Sequence, residues 1–163
     1  MTAIAQKLNA GTDEFYILLS TPGGEVQSGL TIYNFLRGLP VPIIMHNIGN
    51  VDSIGNAIFL SGGQRFACPH STFMFHGVGF EVINLKVEEK NARELLNGIL
   101  ADQTRIGDII VDRTTITRPR ARKLFREAST KNAAEALASG IVHEIRDVAI
   151  PAGADLISFV FTP

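Results

Sequence analysis

Three short apolar runs, each released into a turn marked by glycine or histidine, limit this chain more than any other feature. Phe15 to Leu19 delivers Ser20-Thr21-Pro22-Gly23-Gly24. Val41 to Met45 leads to Gly49-Asn50-Val51-Asp52-Ser53-Ile54-Gly55-Asn56. Thr72 to Phe75 runs straight into His76-Gly77. Compact apolar runs bounded by turn residues suit buried strands. Between them lie segments of helical spacing, from Glu25 to Arg37 and from Ile54 to Leu60. The rhythm of strand, turn, helix and strand predicts an α/β fold with helices packed on the sheet.

The remainder of the chain extends that pattern. Met1 to Ala10 has a helical tendency, and Gln64 to Ala67 reads as a strand. From Val82 to about Val111, apolar residues recur at helical spacing with charges on the opposite face. A helix that long cannot bury itself in a small domain, so it projects or docks on another subunit. Thr117 to Phe125 and Asn132 to Ser139 predict two further helices, Ile141 to Ile145 a strand, and Leu156 to Phe161 a last apolar run. With 163 residues and no linker or repeat, residues 1–163 are expected to form one domain. A net charge of −1 gives no electrostatic reason to expect nucleic acid or an anionic membrane. No apolar run is long enough to span a bilayer, and no signal peptide is visible. The single cysteine, Cys68, fits a reducing compartment, which points to the cytoplasm, and reads as a small buried thiol. No Cys/His cluster has metal-ligand spacing, and no cofactor is implied.

Chemistry is expected at the strand ends, where ligands gather in open sheets. Ser53 lies between a glycine-bearing turn and a helix start. The turn lets a ligand approach the backbone, and the helix start offers unpaired N–H groups. Ser53 is therefore a candidate nucleophile; the alternative is that it caps the helix. His76, at a strand end, is a candidate general base, and the Gly23-Gly24 turn exposes further N–H groups. His46 and His143 rank below His76, because both fall within strands that look buried.

An ordered set of motifs resembles the Clp protease proteolytic subunit family. It comprises Thr21-Pro22-Gly23-Gly24, Gly29 with Ile32-Tyr33, Gly49 through Ser53-Ile54-Gly55, and Arg65-Phe66-x-Cys68-Pro69-x-Ser71. Met74-x-His76, Ala92-Arg93-Glu94-Leu95, and Ala133-Ala134-Glu135-Ala136 before Gly140-Ile141-Val142 complete it. The similarity runs from about Phe15 to about Ile145. It implies a crotonase-like α/β fold of repeated β-β-α units with a long projecting helix. It also implies a serine endopeptidase assembled as stacked homo-oligomeric rings and acting on peptides or unfolded proteins. By the same resemblance Ser53 is the nucleophile, His76 the base, and the amides of Gly24 and Ile54 the oxyanion hole, with Gly23 beside them. The long helix would interlock two rings.

Several positions depart from the family's pattern. Alignment through the late alanine-rich helix puts Ala128 where the family has the aspartate that completes its triad. Glu127 is the neighbouring candidate for that third place, with Asp108 and Asp112 more distant. Asp52 stands where the family places a small residue, and Gly77-Val78 follow His76 where a polar residue and proline are usual. The family's N-terminal segment has no counterpart here, so docking of an AAA+ ATPase is not expected. Two other readings stay open: a ring subunit that has lost catalysis, and an acyl-CoA-binding crotonase relative holding a thioester enolate on the same paired amides.

Overall fold

A computed structural model of the protein describes residues 1–79 and 88–159. The elements, in chain order, are α1 (Thr2–Asn9), β1 (Phe15–Thr21), α2 (Val26–Arg37), β2 (Ile43–Asp52), α3 (Gly55–Leu60), β3 (Gln64–Ala67), β4 (Thr72–Phe75), α4 (Glu89–Arg113), α5 (Arg118–Glu127), β5 (Ser129–Asn132), α6 (Ala133–Ala138) and β6 (Glu144–Ile145). All six strands belong to one sheet, in the order β5-β4-β2-β3-β6, with β1 paired to β2 as well. Every pairing is parallel except that of β4 with β5. The α/β class is as expected.

Strand β2 is the spine of the sheet. Its first half, Ile44 to Asn47, lies against β3, and its last residues, Asn50 to Asp52, lie against β4. Asn47, fully buried, manages the transfer from one neighbour to the other. Its amide donates to the Thr72 carbonyl at 2.8 Å, and its carbonyl oxygen accepts from Gly49 N at 3.0 Å. The expected strand ended at Met45, but the real one continues to Asp52. Gly49 and Asn50 resemble turn residues locally; pairing with β4 keeps them extended.

The core fills the space between sheet and helices with Met45, Val51, Phe59, Phe73 and Ile110, none of them exposed. Phe59 of α3 meets Phe73 of β4 edge-on, 5.0 Å between ring centres. Fully burying such side chains stabilises by roughly 1.5–3 kcal/mol each. Helix α4 uses only its C-terminal half for this core, through Asp102, Ile106, Gly107 and Ile110. Its N-terminal half leaves Leu96 and Leu100 half exposed. At 25 residues it is about 37 Å long. The long helix is thus present from Glu89; the stretch expected from Val82 to Val87 lies outside the described residues. Among the described residues no helix is long and apolar enough to cross a membrane.

Two late expectations need correction. The strand expected at Ile141 to Ile145 is ordered against β3 only from Glu144, because Ile141 and Val142 turn inward and bury beneath α6. His143, expected to be buried, is exposed, and its Nδ1 accepts from Arg65 N at 3.2 Å. The last apolar run has no regular secondary structure from Leu156 to Phe159, where Leu156, Ile157 and Phe159 are exposed, and its remainder lies outside the described residues.

Candidate active site

The sharpest bend in the sheet is at Ser53. Strand β2 stops at Asp52 and α3 begins at Gly55, so the chain turns from strand to helix within two residues. Ser53 carries the turn at φ 55°, in the left-handed region. A non-glycine residue there costs on the order of 1–3 kcal/mol and persists only where its surroundings impose it. Those surroundings are visible. Ser53 N donates to the Met74 carbonyl at 2.9 Å, extending the β2–β4 ladder by one bond. Gly23, at φ 97°, presses on the other side. A Cβ there would lie 2.7 Å from Ser53 Cβ and 2.9 Å from the Asp52 carbonyl, so only glycine fits. Beneath, α2 crosses Ile54 at Gly29, where an added Cβ would come within 2.3 Å of Ile54 Cγ1.

The cap reading of Ser53 is not what the turn does. Helix α3 has no side-chain cap bond, and the Ser53 hydroxyl has no hydrogen-bond partner among the described residues. Ser53 lines a cavity of about 80 Å³ together with Gly24, Val26, Ile54, Phe75, His76, Gly77, Ile106 and Phe125. His76 enters it from the end of β4, exposed to solvent. Ser53 and His76 thus share one cavity although 23 residues separate them in the chain, and no hydrogen bond joins them. Catalytic bonds are often loose in unliganded sites and tighten when substrate binds.

Two amides border the hydroxyl. Ser53 N is already committed to Met74, but Gly24 N and Ile54 N donate to no described residue. An amide following the serine, paired with one from a neighbouring loop, is the arrangement that holds an oxyanion. Glu25 sets the geometry of the loop by capping α2, its carboxylate accepting from Gln27 N at 2.8 Å and Ser28 N at 2.6 Å. The Ser28 side chain and these amides hold its carboxyl below the usual range.

Among the described residues no hydrogen bond or ion pair joins Glu127 to His76. Its carboxylate lies 3.5 Å from Lys123 Nζ on the exposed side of α5. Asp108 pairs with Arg118, and neither it nor Asp112 makes an ion pair or hydrogen bond with His76 among the described residues. The backbone shows why. Strand β4 pairs with β5 as far as Phe75 opposite Ser129. His76 and Ala128 therefore leave the same end of that ladder side by side. Ala128, at φ 49°, ends α5 in the left-handed region and brings no carboxylate to that end of the ladder. Asp52 turns elsewhere, accepting from Asn50 Nδ2 at 2.7 Å. The other histidine inside the sheet, His46, is fully buried between Tyr16 Oη, 2.8 Å from Nδ1, and the Arg146 carbonyl, 3.0 Å from Nε2.

Sequence reasoning overlooked one residue of this site. Asn56, 1% exposed, sits among the apolar residues of α3. Its Nδ2 donates both to the Ser53 carbonyl at 3.1 Å and to the Met74 carbonyl at 2.7 Å, while its Oδ1 is buried with no partner. Leaving such an oxygen unsatisfied costs about 1–3 kcal/mol. A lone amide inside Ile54 to Leu60 was the signal that could have found it.

This geometry agrees with the comparisons to known proteins. The Clp protease family model matches residues 4–149, and the chain belongs to that family. Among solved structures it superposes on a mutant ClpP1 of Listeria monocytogenes with a TM-score of 0.77, at 22% identity, over 88% of this chain and 80% of that one. At this identity the likeness concerns the fold.

Proposed function

We propose that the protein is a serine endopeptidase of the Clp proteolytic type. Ser53 Oγ attacks the carbonyl carbon of a peptide bond while His76 takes up its proton. The amides of Gly24 and Ile54 hold the developing oxyanion, with Gly23 giving the loop its close approach. His76 then returns the proton to the leaving amine, and the acyl group stays on Ser53 until a water, activated by His76, releases it as the acid. The observation that supports this reading is the shared cavity: it is lined by Ser53, whose hydroxyl is unengaged, by His76, and by Gly24 and Ile54, whose amides donate to no described residue. Peptide would bind extended along the Gly23–Val26 edge and the segment after His76. Projecting Leu96 and Leu100 suit docking of α4 on a second ring, so homo-oligomeric rings belong to the proposal, as does a cytoplasmic setting. A fluorophosphonate probe with mass mapping tests it: label on Ser53 is expected, and a folded sample that takes none overturns it.

Ala128 favours a second reading, a ring subunit with little or no hydrolytic activity. In a well-studied triad, replacing the aspartate slowed turnover by about 10⁴-fold. Ala128→Asp separates the two. If the parent has a working serine and histidine, the new carboxylate raises peptide hydrolysis by at least about tenfold. If hydrolysis is absent in both proteins while assembly is intact, the structural reading holds.

A further inference from the structure

The turn that carries Ser53 and the strand that carries His76 belong to different elements, and one buried side chain ties them together. Asn56 Nδ2 reaches the carbonyl of Ser53 and the carbonyl of Met74, two residues before His76. Neither carbonyl needs it. The Ser53 carbonyl also accepts from Asn56 N at 3.2 Å, and the Met74 carbonyl from Ser53 N at 2.9 Å. Deleting the amide would therefore orphan no backbone group, and it would remove the unsatisfied Oδ1. A side chain that is redundant for backbone satisfaction and carries a buried unpaired oxygen is a poor device for stability. It is a good device for holding two carbonyls, and the elements behind them, at a set separation.

We propose that Asn56 is a positioning residue: its amide locks the left-handed Ser53 turn to β4 and so sets the separation of hydroxyl and imidazole. The inference rests on the peptidase reading for its catalytic consequence, though not for the tether itself. Active-site geometry tolerates little slack, and small displacements lower the rate steeply.

The test compares the parent with Asn56→Ala and with Asn56→Leu, which keeps the branched shape without the amide. Three quantities are measured: melting temperature, kcat and KM on a fluorogenic peptide together with the fluorophosphonate labelling rate at Ser53, and hydrogen exchange in the peptide spanning Val51 to Ile54. A positioning role predicts a melting temperature equal to or above the parent's. It also predicts kcat and labelling reduced at least about tenfold with KM unchanged, and faster exchange in that peptide. A lowered melting temperature with parental kcat per folded molecule would overturn the proposal, as would two variants that both fail to fold, since either assigns Asn56 to stability. Parental exchange in both variants overturns the tether. If the parent itself takes no label yet exchange accelerates in the variants, the peptidase reading fails and the tether stands.

Discussion

Two regions of this molecule treat polar groups in opposite ways. Arg65 at the start of β3 is 3% exposed, yet every arm of its guanidinium is used. Nε donates to the Ile141 carbonyl at 2.7 Å, Nη1 to Gly62 at 3.0 Å, and Nη2 to Arg113 at 2.9 Å and Gly140 at 3.1 Å. The Arg113 carbonyl is the last of α4, where a helix leaves acceptors unpaired and carries partial negative charge, and the other three follow the ends of α3 and α6 by two or three residues. No carboxylate is involved. Burial and the neighbouring Arg113 and Arg37 pull the Arg65 pKa down to about 10, which still leaves it charged at neutral pH. At the Ser53 turn, by contrast, a left-handed serine and two residues whose amides have no acceptor among the described residues line a cavity, and the buried Asn56 oxygen has no partner there either. One region satisfies its groups and stabilises; the other leaves them unsatisfied, which is where strain and open valences serve chemistry.

The largest expected effect lies on the satisfied side. Arg65→Met removes the shared donor from three helix ends and should destabilise by about 4 kcal/mol or more. Denaturant midpoints check this, and a loss under about 1 kcal/mol would erase the contrast. On the strained side, Ser53→Gly should raise stability by about 1 kcal/mol, because glycine adopts φ 55° without steric cost, while abolishing peptide hydrolysis. A melting temperature that falls instead would mean the turn is not strained. The smallest effect concerns pH. Burial, offset in part by the Arg146 carbonyl and reinforced by the Arg146 charge, holds His46 below its usual 6.5, and Asp147 pulls weakly the other way. The unfolded chain therefore takes up a proton near that value while the folded one does not. Stability is full above it and declines as pH drops below it. His143, lowered by partial desolvation of its ring and by the charges of Arg65 and Arg113, acts in the same sense. Melting temperature should thus fall from about pH 7 toward pH 5, and His46→Gln, which keeps a donor for the Arg146 carbonyl, should flatten that decline.

Much of this was legible in the residues. β3 and β4 were readable because each is a short stretch holding phenylalanine between clear turn signals. Ser53, His76 and the Gly23-Gly24 turn were readable as strand ends, and the sheet brings them to one cavity. What stayed hidden depends on partners distant in the chain. β2 runs past Gly49 because β4 pairs with it, and β5 is a strand although Ser129-Thr130-Lys131-Asn132 has no apolar residue, because β4 supplies its ladder. Glu127 looked available from its position, but its carboxylate pairs with Lys123, one turn back on α5.

That polar strand has a consequence for the protein's behaviour in a crowded solution. As the last strand on its side of the described sheet, β5 ends the array of backbone donors and acceptors. A rim made of hydroxyls, an amide and the Lys131 ammonium offers an incoming chain nothing oily to bury against and a charge to repel its own kind. Its hydrophilic makeup, which concealed it as a strand, is what guards the sheet against runaway edge-to-edge aggregation.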